Sequence, residues 1–423
     1  MPLYSVSALW RLSHEPFMKN ATWIDNLAIR ASYGLQGNID KNTSPFLLGK
    51  YNVDQILPGI YEDMIEIMSA PNNTLRWEKT ASYNAGLDFS VLNQRINLSA
   101  DFYYRKGTDL IGMRFLPLET GFNSQTINWA SMENKGVEVT LSTRNITTKD
   151  FSWYTNFNFA YNANKVLKEN IIESQTTPGR EGYPVGALFA FKTAGIDPES
   201  GSVRFVNPKG EIVSLTDLYS LYDMGESWGF PMGIAVSDIT PEQERELYTY
   251  IGSEEAPYTG GVMNTFTYKN WELSANLSYT CGGYVRTKPT YDIVFPDYGK
   301  NLNTDVLNRW TPDNKTALLP GMVNQLTNPL EHNWYTQKPI WEFLDIWVKK
   351  LNYARLQNLR LAYHIPEVIL KKVGINNATV ALEGRNLVVF GGGYDNYLDP
   401  ESMYNPYATP VPKSVIFSLN LNF

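Results

Sequence analysis

The C-terminal segment of the chain alternates. Val415, Phe417, Leu419, Leu421 and Phe423 are apolar, and Ser414, Ser418, Asn420 and Asn422 lie between them, with Ile416 the one break. A period of two is the mark of a strand with one oily face and one wet face. The segment also has the roughly 9–11 residues that a tilted strand needs to cross a bilayer. The pattern returns along the chain. Tyr83, Ala85, Leu87 and Phe89 alternate with Ser82, Asn84, Gly86, Asp88 and Ser90. Ile96, Leu98, Ala100, Phe102 and Tyr104 alternate with Asn97, Ser99, Asp101 and Tyr103. Trp271, Leu273, Ala275, Leu277 and Tyr279 oppose Glu272, Ser274, Asn276, Ser278 and Thr280, and Leu359, Leu361, Tyr363 and Ile365 oppose Asn358, Arg360, Ala362 and His364. A strand facing bulk water would carry Lys and Glu on its wet side. Here that side is mostly Ser, Asn, Thr, Gly and Asp, as in a polar lumen.

This alternation predicts eleven strands, at about 5–10, 27–34, 81–90, 96–104, 136–143, 152–161, 261–268, 271–280, 355–365, 378–388 and 414–423. Short links join Phe89 to Ile96, Leu141 to Trp153 and Tyr268 to Trp271. Long ones run from Arg105 to Asn134, Asn162 to Tyr258, Cys281 to Asn352 and Phe390 to Lys413. Outer-membrane barrels have short periplasmic turns and long outer loops, and with Phe423 at the periplasmic side the short links all fall there. Two short helices fit between strands. One runs from Pro241 to Tyr250 behind the N-cap candidate Thr240; the other runs from Pro366 to Val373 and stops at Gly374. The fold class is therefore all-β: an antiparallel transmembrane β-barrel wall with long extracellular loops and short periplasmic turns.

Composition agrees. Charged residues make up 19% of the 423, below the roughly 25% of soluble proteins. Tyr and Trp number 27 and 11, and Trp77, Tyr104, Trp153, Tyr161, Trp271 and Tyr279 sit at strand ends, as in an interfacial aromatic girdle. No apolar run approaches the roughly 18 residues of a transmembrane helix. The net charge of −7 argues against a nucleic-acid partner. The single cysteine, Cys281, excludes an intramolecular disulfide. No catalytic constellation stands out, and neither a metal nor a cofactor is called for. The pairs Glu254–Glu255 and Asp399–Glu401 read as solvated loop charge, and Ile196–Gly201 (IDPESG) reads as a turn that lacks the full calcium-loop spacing.

At the level of motifs the chain resembles the C-terminal part of a SusC/RagA-like TonB-dependent outer-membrane transporter of Bacteroidetes. The stretches that carry the resemblance include SVSALWRLSHEPFM, LAIRASYGLQGN, LRWEKTASYNAGLDFSVLNQRINLSADFYYRKGTDLI, MENKGVEVTL, FSWYTNFNFAYNANKV, PVGALFAFKTAGIDPESG, YTGGVMNTFTYKNWELSANLSY, RLQNLRLAYHIP, and LEGRNLVVF followed by DPES. The resemblance implies a barrel of on the order of 22 strands, of which this chain would supply residues 1–423 as the C-terminal half. Signal peptide, TonB-box, plug and the first half of the barrel are the parts it would lack. It further implies import of an oligosaccharide or peptide across the outer membrane, driven through the TonB complex and capped by a SusD-like lipoprotein. Phe423, with Leu421, Leu419 and Phe417 before it, would be the signal read during outer-membrane assembly. Among loop aromatics, Trp228, Trp334, Trp341, Tyr394 and Tyr397 are the candidates to touch substrate or lid. A secreted all-β carbohydrate-binding protein and a passive porin are the alternatives. Eleven alternating strands begin and end in the same direction, so the wall is expected to stay open rather than close on itself.

Overall fold

In the computed structural model the described residues are all except 1–2, 40–44, 123, 221–238, 296–300, 325, 327, 338, 372–373, 392–398, 404, 406–407 and 423. Along the chain run β1 (Tyr4–Arg11), β2 (Ile24–Asn38), β3 (Leu48–Leu57), β4 (Ile60–Ser69), β5 (Glu78–Val91), β6 (Ile96–Phe115), β7 (Ser124–Thr147) and β8 (Phe151–Lys168). The stretch that follows β8 holds β9 (Ala187–Phe191), β10 (Thr193–Ile196), β11 (Val203–Val206), β12 (Ile212–Val213), α1 (Leu215–Ser220), α2 (Pro241–Glu246) and β13 (Tyr248–Ser253). Then come β14 (Tyr258–Tyr268), β15 (Trp271–Arg286), α3 (Pro329–Gln337), β16 (Val348–His364), α4 (Glu367–Leu370), β17 (Asn377–Gly391) and β18 (Ser414–Asn422).

Eleven of these form one sheet in the order β1-β2-β5-β6-β7-β8-β14-β15-β16-β17-β18, each antiparallel to its neighbours. They are the eleven strands that the alternation predicts. Register makes the two faces continuous, because residues directly opposite on neighbouring strands share a face. Trp10, Ile29, Leu87, Ala100, Val139 and Phe159 lie side by side across six strands. Further along, Phe266, Leu273, Leu361, Leu382 and Phe417 do the same. On the other face Ala28, Asp88, Ser99, Thr140, Asn158, Gly261, Ser278 and Arg355 form a row. Among the described residues nothing covers the oily face: Leu382 is 52% exposed and Phe417 70%. A bare apolar wall of this extent is unstable in water and suited to lipid.

Aromatic rings mark both rims of the oily face. Tyr4, Tyr33, Tyr83 and Tyr104 form a ladder at the loop end, with ring centroids 5.9, 4.8 and 6.1 Å apart. At the turn end Trp153 stacks on Phe266 at 5.6 Å and Trp271 meets Tyr363 at 4.7 Å. The turns are tight. Between β5 and β6, Leu92, Asn93 and Gln94 all take left-handed backbone. Asp25 holds them by accepting from the Gln94 N–H at 2.7 Å, while the Arg95 guanidinium donates to the carbonyls of Arg144 and Asn145 at 2.9 and 2.6 Å.

Several sequence expectations need correction. The link from Arg105 to Asn134 is mostly strand: β6 and β7 stay paired out to Phe115 and Ser124, past a bulge between Gly107 and Leu110. Backbone pairing does not need side-chain alternation once the strands leave the bilayer. The helix from Pro241 ends at Glu246. It has the expected Thr240 cap, closed into a capping box with Gln243, but its predicted second half is strand β13, paired with β9. The aromatic run Tyr248–Tyr250 packs better against Phe189 and Phe191 than along a helix. The second predicted helix shortens to Glu367–Leu370, and Gly374 takes left-handed backbone after it. The hairpin β3–β4 and the small sheets β10-β11-β12 and β13-β9 were not foreseen.

Among the described residues no strand pairs with the outer side of β1 or β18, so the sheet is an open wall with two edges.

The face assignment makes a prediction for the assembled outer-membrane protein. Leu98→Arg or Leu277→Arg, on the oily face, should each cost about 2–4 kcal/mol in equilibrium unfolding from liposomes. Asn276→Arg, on the opposite face, should cost far less. Equal losses for the two classes would mean the faces are reversed or absent.

Candidate functional site

The polar face carries several charge pairs built across neighbouring strands. Arg30 on β2 lies directly across from Gly86 on β5, which in turn faces Asp101 on β6. With no Cβ at Gly86 the guanidinium can lie flat over it. An added Cβ would sit 2.6 Å from an Asp101 oxygen and 2.9 Å from the Arg30 guanidinium carbon. Arg30 donates to Asp88 at 2.8 Å and to Asp101 at 2.9 Å, and Ser99 Oγ donates to Asp88 at 2.8 Å. Tyr103 uses a second gap of the same kind. Its ring lies against Gly136, and its hydroxyl donates to Asn162 at 2.9 Å. Near the turn end Arg360 donates to Glu272 at 2.9 Å, and His364 Nδ1 lies 3.0 Å from the Thr379 hydroxyl. Between these pairs the face offers amides and hydroxyls, and Arg105 and the exposed Glu138 stand on it outside any ion pair among the described residues.

Arg355, in the middle of β16, is the exception, because it is fully buried. Its Nε donates to Glu401 at 2.7 Å and its Nη2 to Asp399. Asp399 also accepts from the Glu401 N–H at 3.0 Å and the Val411 N–H at 3.3 Å. The last long connection therefore folds back onto the polar face and is tied there. The reading of Asp399 and Glu401 as solvated charge fails for this reason. Sequence shows a pair of acids in a loop; it does not show that an arginine from a strand lies underneath. Glu254 and Glu255 are exposed, as expected. The IDPESG segment is a turn: Asp197 accepts from the N–H groups of Glu199 and Ser200, and the Ser200 N–H leads in holding its carboxyl below the usual range.

The connections from β8 to β14 and from β15 to β16 build a compact platform at the loop end of the wall. Its core includes Phe191, Phe205, Leu218, Tyr219, Ile293 and Leu344. Trp334 and Trp341, proposed from sequence as ligand-facing, are inside this core, at 2% and 7% exposure. The Trp334 ring stacks on Tyr219 at 4.1 Å, and Trp341 donates from Nε1 to the Tyr291 carbonyl at 2.8 Å while meeting Trp347 edge-on. Their rings hold the platform together. Trp228, Tyr394 and Tyr397 lie outside the described residues, as does Phe423 of the assembly signal. Phe417, Leu419 and Leu421 are exposed on the oily face of edge strand β18. Glu331 on α3 is buried beside the platform core and accepts from Ser202 at 3.1 Å, and burial pushes its carboxyl above the usual range.

Two predictions follow from these anchors. Arg355→Ala leaves Asp399 buried without its counter-ion, a loss of about 3–5 kcal/mol. It should expose residues 399–413 to limited proteolysis, with Arg355→Lys intermediate because an ammonium cannot hold both acids in the guanidinium's planar geometry. Undiminished resistance in Arg355→Ala would show the tie to be idle. For Glu331, the folded state favours the protonated form. Its contribution is full below the ordinary carboxylate range and is lost as pH rises through the raised value. The platform should therefore be cleaved faster at pH 8 than at pH 5, allowing for the protease's own pH dependence, and Glu331→Gln should remove that difference. A pH difference that persists in the variant would place its origin elsewhere.

Comparison with known proteins fits this architecture. The family model described as TonB dependent receptor-like, beta-barrel, matches residues 3–387. TonB-dependent receptors P3 and P26 of Formosa agariphila are each 28% identical, over 93% and 99% of this chain. The TonB-dependent receptor SusC of Bacteroides thetaiotaomicron is 35% identical over 39% of this chain and 17% of its own length. The solved RagAB peptide transporter superposes with a TM-score of 0.74 at 24% identity, over 100% of this chain and 43% of that one, a likeness of fold. The chain spans 38% and 42% of the length of the two Formosa relatives. It belongs to the TonB-dependent receptor family, whose members are outer-membrane β-barrels, and lies within the barrel region of that family.

Proposed function

We propose that this chain forms the C-terminal half of the barrel wall of a nutrient importer in the outer membrane. The carrying observation is the two-faced wall of eleven strands whose two edges find no partner strand among the described residues. An unpaired backbone group in hydrocarbon costs several kcal/mol, so ten or so along an edge exceed the roughly 5–15 kcal/mol that holds a typical domain together. The complementary strands, with the plug and TonB-box, would come from the remainder of a longer polypeptide, in keeping with the greater length of the relatives. Import would then draw on the TonB complex through those parts.

The polar face, rich in amides and hydroxyls and with several of its charges paired across strands, suits oligosaccharides or peptides. A SusD-like surface lipoprotein is the partner this reading assigns to the loop end. The hairpin β3–β4 supports it. An isolated two-stranded hairpin is marginal in water, and this one leaves Tyr51 66% and Ile65 71% exposed.

The reading is tested in two arms. The isolated 423-residue chain, refolded in detergent, should give neither heat-modifiable gel mobility nor conductance in a planar bilayer; a stable monomeric pore would refute the half-wall. In cells, uptake of labelled oligosaccharides or peptides by the full-length parent should stop when TonB is removed. Uptake that persists without TonB would make the protein a passive porin.

A further inference from the structure

On strands β6, β7 and β8 the oily face stops at a common height and turns basic. Below the boundary lie Phe102, Val137 and Tyr161, directly opposite one another. Above it come Tyr104, Lys135 and Ala163 in one row, and Lys106, Glu133 and Lys165 in the next. Lys106 stands beyond Ile96 by roughly 25 Å at the usual strand rise and tilt, which is the height of the lipid-facing band of an outer-membrane barrel. These lysines therefore occupy the level of the outer-leaflet headgroups and point out of the barrel.

The three lysines are exposed. They surround one carboxylate, Glu133, which accepts from the Tyr104 hydroxyl at 2.9 Å, and none of them forms an ion pair among the described residues. Neighbouring strands are about 4.8 Å apart, so Lys106 and Lys165 flank Glu133 at about 10 Å from each other, with Lys135 about 7 Å along β7. Ammonium groups on four-carbon stems can converge from those positions on a single anion. The other cations nearby are engaged: Lys168 lies 3.4 Å over the Trp129 ring, and Lys79 pairs with Asp109 at 2.7 Å. The patch is local. The row of Lys106 continues onto β5, β2 and β1 as Ala81, Leu35 and Tyr4, without charge. Directly beside the lysines the tyrosine ladder Tyr33–Tyr83–Tyr104 offers a flat aromatic surface at the same level.

We propose that Lys106, Lys135 and Lys165 bind the phosphate of a phosphorylated lipid of the outer leaflet, whose acyl chains lie down the oily face beneath. Net charge of the cluster, its height and the absence of internal partners together select an anionic headgroup held against the wall over a neutral one.

The test uses the full-length parent extracted from outer membranes in mild detergent and titrated with three probes: diphosphorylated lipid A, the same lipid dephosphorylated, and inorganic phosphate. The wild-type protein should prefer the phosphorylated lipid. Each lysine near an anionic surface contributes about fivefold, so the triple variant K106Q/K135Q/K165Q should bind it on the order of a hundredfold more weakly. K149Q/K269Q, at the opposite rim, should bind as wild type does. Should the triple variant fail to assemble, Lys135→Gln alone should weaken binding about fivefold. Undiminished binding by the variants overturns the site. Inorganic phosphate that displaces the lipid on equal terms, or dephosphorylated lipid that binds as well, overturns the phospholipid assignment. A protein that does not partition into liposomes at all would instead refute the outer-membrane placement on which the proposal rests.

Discussion

Every backbone amide of a strand that crosses hydrocarbon must be satisfied by a neighbouring strand, because there is no water to take its place. The rest of this structure depends on that constraint. No helix among the described residues is long and apolar enough to cross a membrane, so crossing falls to the sheet. Ladder pairing of consecutive strands then requires an antiparallel meander, with turns alternately on the two sides of the membrane. Side chains follow from the pleat: alternate residues meet lipid, and the others meet the lumen. The same rule makes the edges β1 and β18 the most costly features of the wall, more than any side chain in it.

Within that frame the lumen face solves a packing problem of its own. A residue there has a partner on each neighbouring strand, and bulky pairs would collide. Glycine at Gly86 and Gly136 opens room for Arg30 and Tyr103 to lie flat along the sheet and reach two strands away. Arg30 is thereby held between Asp88 and Asp101. Around these clusters the face exposes mostly amides and hydroxyls.

The wall was legible in the sequence because its period of two is imposed residue by residue. Position within the strand decides the face, and the face decides polarity. Eleven strands and the direction of each could therefore be read without contacts. What was not legible had no such local rule. The extensions of β6 and β7 leave the bilayer, so their pairing continues without alternation. The hairpin β3–β4 is exposed on both faces and carries no burial pattern. The platform core draws on Phe191, Tyr219, Trp334 and Leu344, which are far apart in the chain. Aromatic content alone marked Trp334 and Trp341 as surface candidates, since the sequence does not show which rings will find one another. The lysine patch was hidden for the opposite reason: each lysine looks like an ordinary strand end until register sets three of them around Glu133.

The loops show why a barrel needs two different ways of holding what lies above it. The connections β8–β14 and β15–β16 are long enough to carry their own apolar residues, and they bury them against each other. The described part of the connection from β17 to β18 lies over the polar face, where Met403 is buried and Asp399 and Glu401 pair with Arg355. Arg355 supplies five donors in a rigid plane, and Asp399 and Glu401 accept from one edge of it while Asp399 also takes two backbone N–H groups. Desolvating three charges leaves little net stability over an apolar alternative. What the cluster provides is position: the loop has one seat on the wall, and a displacement of a few ångströms strands a buried charge.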